Sequence, residues 1–137
     1  MRFLLALLFP LAAFAQDATL IPSAREWTTV DRALMATSTM LLIMDWGQTR
    51  YIAKSPGPLP DGTLGYRPPV LYETNPLLGK RPSVGKVDLY FTAALAGNFY
   101  VADSLNSDER KLWLGAVSLI EYAIVRHNRQ LGIKIAF

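Results

Sequence analysis

The chain has 137 residues, 51% hydrophobic and 18% charged, with a formal net charge of +3 and no cysteine. That length fits a single domain. The balance argues against disorder over most of the chain, the scattered Lys and Arg give no nucleic-acid footprint, and the missing cysteine excludes disulfides, thiolate metal sites and cysteine nucleophiles.

Met1–Arg2 is a short basic start, and Phe3–Phe14 is an apolar run broken by Pro10. Ala13 and Ala15 then place small residues at −3 and −1 of a cleavage site, the pattern of a secretory signal peptide. Cleavage after Ala15 is expected, leaving residues 16–137 as one helical domain. Residue 16 is Gln, so a lipoprotein is excluded.

Residues 16–29 read as an irregular lead-in containing Pro22 and Trp27. Thr28 or Thr29 caps a first helix over about 30–53, with Asp31 placing negative charge in its first turn. Residues 54–82 form a long Pro- and Gly-rich connection. Within it, Asn75-Pro76 starts a turn, Leu77 and Leu78 dock on the core, and Gly79 permits a reversal. Ser83 caps a second helix over about 84–105. Asn106 or Ser107 caps a third over about 107–130, where Asn106-x-x-Glu109 approximates a capping box. Gly132 is its expected stop. The tail Ile133–Phe137 alternates in the manner of a short strand.

None of the three apolar segments reaches the roughly 20 uninterrupted apolar residues of a clean membrane span. Counted to their flanking residues, however, Arg32–Arg50, Lys86–Leu105 and Lys111–Arg126 are each read as about that length. Aromatic residues, Trp46, Tyr51, Tyr90, Phe99, Tyr100 and Trp113 among them, gather toward the helix ends. With the mature N-terminus outside, the inner segments hold Arg50, Lys54, Arg67, Lys80, Arg81, Lys86, Arg126, Arg129 and Lys134. The outer ones hold Arg25, Arg32, Arg110 and Lys111. Nine against four obeys the positive-inside rule. The expected fold is therefore all-α: a three-helix membrane bundle in a bacterial inner membrane, N-terminus periplasmic and C-terminus cytoplasmic. The alternative is a secreted, periplasmic, soluble helical binding protein. An outer-membrane barrel is disfavoured by the helical periodicity of the middle of the chain.

Three patterns carry a resemblance. They are Trp27-Thr28-x-x-Asp31, Asp45-x-x-Gln48-Thr49, and Glu73-x-Asn75-Pro76-x-x-Gly79-x-x-Pro82-Ser83. Together they resemble a group of small bacterial and prophage-borne helical membrane proteins to which no reaction is assigned. The resemblance implies a helical membrane fold and supplies no activity.

Asp45, Gln48 and Thr49 lie at i, i+3, i+4 and share one helix face, extended by Ser38. Asp88 and Thr92 form a stripe on the second helix. Ser118, Glu121 and Asn128 form one on the third. Inside a membrane such stripes point inward, because charge facing lipid costs about 2.5–3.5 kcal/mol. Asp45 and Glu121 precede Arg50 and Arg126 by five residues, and Asp88 follows Ser83 by five. Each acid is thus expected roughly 7–8 Å inside the same end of the bundle. The expected polar cluster is Asp45, Gln48, Thr49, Asp88, Glu121 and Asn128, closed by Glu73 and Asn75. Its bland reading is hydrogen bonding that sets helix register. Its functional reading is an ion, metal or proton site on the acids.

His127, the single histidine, reads as a cation at a helix C-terminus. Ala93-x-x-x-Gly97 and Gly115 read as close-packing positions. No nucleotide-binding glycine loop, HExxH or GxSxG is present. The expectation is a non-enzymatic envelope protein without cofactor or dedicated metal, whose surroundings are the lipid bilayer and a protein partner or second copy. A membrane enzyme using Asp45, Asp88 and Glu121 is the alternative.

Overall fold

A computed structural model describes residues 26–55 and 71–137. The expected signal peptide and most of the Pro- and Gly-rich connection lie outside the described residues. Three helices make the fold: α1 (Thr29–Lys54), α2 (Val84–Ser104) and α3 (Ser107–Gln130). They agree with the expected ranges to within a residue at each end.

Local chemistry explains the starts. The Thr28 hydroxyl accepts from the Asp31 backbone N–H, and the Asp31 carboxylate accepts from the Thr28 N–H, a complete capping box. Ser83 accepts from the Lys86 N–H. Asn106 accepts from the Asp108 and Glu109 N–H groups, and Glu109 accepts in return from the Asn106 N–H. The stop of α3 is Gly132, whose φ of 76° suits a residue without Cβ.

Before α2, the Asn75 side chain accepts from the Leu77 N–H, and its carbonyl accepts from the Leu78 and Gly79 N–H groups. Gly79 completes the reversal at φ 78°. Leu78 docks as expected, buried with Val87 and Phe91. Leu77 does not dock; it is exposed.

Helix α1 is the centre of the bundle. It packs most extensively on α3, less on α2, while α2 and α3 touch sparingly. α1 and α3 run the same way. Their N-terminal ends meet through Asp31 and Arg110, and their C-terminal halves through Gln48 and Val125. The buried positions of α1 include Asp31, Ser38, Asp45 and Ile52, spaced seven apart, with Leu42 and Thr49 between them. That spacing keeps one stripe inward over the whole helix.

The tail corrects one expectation. No strand occurs among the described residues. Residues 133–137 instead hook back under α1, where the Ala136 N–H donates to the Gly47 carbonyl at 3.0 Å. Phe137 packs edge-on against Trp46. Gly47 permits this approach, since a Cβ there would stand 2.5 Å from Ile135 Cγ2. The glycines expected to pack closely, Gly97 and Gly115, have open space where a Cβ would be.

Candidate functional site

The interior carries polar groups at three levels along α1. At the N-terminal end, the Arg110 guanidinium is fully buried. Its Nη1 donates to Asp31 Oδ2 at 3.3 Å, its Nε to the Ala102 carbonyl and its Nη2 to the Leu105 carbonyl. The guanidinium lies 4.4 Å from the ring centre of Trp27, whose Nε1–H donates to Asp103.

Midway, Asn98 of α2 ties all three helices together. Its amide donates to the Ser38 hydroxyl at 3.1 Å, and its oxygen accepts from Trp113 Nε1 at 2.9 Å. Asn98 and Arg110 were absent from the expected cluster. Arg110 sits beside Lys111 at a helix start, where a charge ordinarily faces water. Asn98 stands alone in an apolar run, and that isolation was the available signal.

The third level, near the C-terminal ends of α1 and α3, is the candidate site. Asn128 donates to Asp45 Oδ1 at 3.2 Å and to Gln48 Oε1 at 3.1 Å. Gln48 donates in turn to the Val125 carbonyl at 3.2 Å. Glu121 and Glu73 both lie within electrostatic range of Asp45. Among the described residues, Oε2 of Glu121 is buried without a hydrogen-bond partner, as are Oδ1 of Asp31 and Nε of Arg50. Tyr90 of α2 lies near Asn75, within electrostatic range of Glu121, Asp45 and Glu73. Six of the expected residues, Asp45, Gln48, Glu73, Asn75, Glu121 and Asn128, thus converge on one end of the bundle. Thr49 is buried on the same helix face.

Asp88 takes other partners. Its Oδ1 accepts from Trp46 Nε1 at 2.8 Å and pairs with Arg50. Glu73 also spends one oxygen locally, accepting from the Thr74 and Asn75 N–H groups at 2.8 Å. Ser118 donates back to the Leu114 carbonyl of its own helix, and Thr92 and His127 are exposed. Among the described residues no three His, Asp or Glu side chains gather as ligands for a metal ion.

Comparison with protein-family models, curated proteins and solved structures finds no match to the chain.

Proposed function

We propose that the protein is a small, non-enzymatic integral protein of a bacterial inner membrane, whose polar interior sets the register of three spanning helices. One observation supports this reading: the interior buries polar side chains among its apolar core, while large apolar side chains of the same helices face outward. Asp31, Ser38, Asp45, Gln48, Thr49, Asn98 and Arg110 are buried. Leu89, Tyr100, Leu112 and Leu119 are 72–76% exposed, and Met40 and Phe99 are exposed as well. Water selects the opposite arrangement on a helical bundle. Lipid permits this one, because inward polar groups satisfy each other while apolar side chains face the acyl chains.

No helix among the described residues is long and apolar enough to cross a membrane by mean hydropathy. Averaging along a window, however, counts inward polar side chains that lipid would never meet. The helices have 26, 21 and 24 residues. At 1.5 Å per residue even the shortest reaches about 30 Å, the thickness of a hydrocarbon core.

Fractionation tests the reading. The protein should resist an alkaline carbonate wash and require detergent; release into a periplasmic extract would refute it. Reporter fusions near Gly62 and after Phe137 should behave as cytoplasmic and one near Ser107 as periplasmic. The N-terminus of purified protein should be Gln16.

A second reading keeps the membrane and makes the acid pair a proton or cation site. The unpartnered Oε2 of Glu121, in the same polar layer as Asp45, favours it. Infrared difference spectra across a pH series would follow a protonated carboxyl band. Loss of that band in Asp45→Asn or Glu121→Gln supports the site; identical spectra in wild type and both variants leave the register role alone.

A further inference from the structure

Two arginines near the C-terminal end of α3 line one groove of the bundle. Arg50 is paired with Asp88, and Arg110 with Asp31. Arg126 and Arg129 make no ion pair or side-chain hydrogen bond among the described residues. They are three apart on the helix and so project side by side. Both line a groove of about 530 Å³ between α1 and α3. Its walls are Leu41 and Met44 from α1 and Val125 and Tyr122 from α3, with Gln130 beside the arginines.

The groove is thus amphipathic along its length. Arg129 and Gln130 lie toward the helix ends, and Leu41 and Tyr122 lie two turns deeper. A ligand filling it carries an anionic head and an apolar tail. From this we infer that the groove binds an anionic phospholipid, with the phosphate held by Arg126 and Arg129 and an acyl chain along Leu41, Met44 and Val125. Guanidinium forks match phosphate oxygens in pairs. Basic pockets between spanning helices at the cytoplasmic face take such headgroups, and this end is cytoplasmic in the proposed topology. A zwitterionic headgroup brings its own cation against two guanidiniums and is held less well. The Gln130 amide, beside the arginines, supplies a further donor.

The inference rests on the membrane reading, and the experiment separates the two. Full-length protein is placed in phosphatidylcholine nanodiscs containing a minority of phosphatidylglycerol. The lipids it retains are then counted by native mass spectrometry. Wild type should retain phosphatidylglycerol over phosphatidylcholine by roughly tenfold to thirtyfold relative to their mixing ratio, from two arginines near an anionic surface. Arg126→Gln with Arg129→Gln should return retention to that ratio. Wild type that retains both lipids in proportion overturns the site, whether or not the variant folds. So does equal enrichment in wild type and variant. A parallel arm gives detergent-solubilised wild type inorganic phosphate alone. Stabilisation by phosphate matching that by phosphatidylglycerol overturns the lipid assignment in favour of a soluble anion. Release of the protein by carbonate overturns the membrane reading together with this one, whereas inserted protein with proportional lipids overturns only the groove.

Discussion

The two ends of α1 solve the same problem in opposite ways. At Asp31 a buried carboxylate meets a buried guanidinium, which also satisfies two carbonyls. At Asp45 a buried carboxylate meets an amide, with Glu121 and Glu73 in electrostatic range. The first end is closed electrostatically, so it locks the start of α1 onto the turn between α2 and α3. The second is held by amides. Each end leaves one buried carboxylate oxygen without a hydrogen-bond partner among the described residues, Oδ1 of Asp31 and Oε2 of Glu121. The difference between them is charge: the first acid meets a guanidinium, whereas the second meets an amide with further acids in electrostatic range.

The widest separation between the ends should come from Arg110→Ala. It strands Asp31 and leaves the Ala102 and Leu105 carbonyls without their donor, at about 1–3 kcal/mol for each carbonyl. Its unfolding temperature should fall furthest of the variants named here. Asp31→Asn combined with Arg110→Met should recover part of the loss, because no charge is then buried alone. A milder fall is expected for Asn98→Leu, which removes the inter-helix hydrogen bonds to Ser38 and Trp113, about 1 kcal/mol each, and a weaker contact to Met35 Sδ. Asn128→Leu should match it, since it also makes two; a much larger loss would mean that the second end is a lock after all.

Gly47→Ala should displace the tail from α1, because its Cβ would meet Ile135 and Phe137. The tail can yield, so about 1 kcal/mol is expected, the low end of overpacking, with faster trimming of the last residues by carboxypeptidase. Gly97→Ala and Gly115→Ala should do neither. Least of all, Glu121→Gln should leave thermal stability unchanged or slightly raised, because Oε2 has no partner to lose. A clear destabilisation would show that Glu121 is paired and would remove the contrast between the ends.

Much of this fold was legible locally. Thr28 with Asp31, Ser83, and Asn106 with Glu109 announce helix starts through contacts two or three residues long. Gly132 announces a stop by the backbone angle it alone adopts cheaply. Asp45, Gln48 and Thr49 were placed on one face by helical spacing, and Glu121 and Asn128 by the same rule on α3. What these residues meet was decided by the packing of α1 between α2 and α3. Asp31 reaches Arg110 across 79 positions, and Asn128 reaches Asp45 across 83. Such partners depend on how two helices are rotated and slid against each other, and no local spacing records that. Asp88 shows the limit: its depth along α2 matched the acid layer, but the rotation of α2 turned it to Trp46 and Arg50. Gly47 shows it again. Its missing Cβ matters only because a tail almost ninety residues later folds under the helix. Caps and periodicity belong to one helix at a time, while pairing belongs to the bundle.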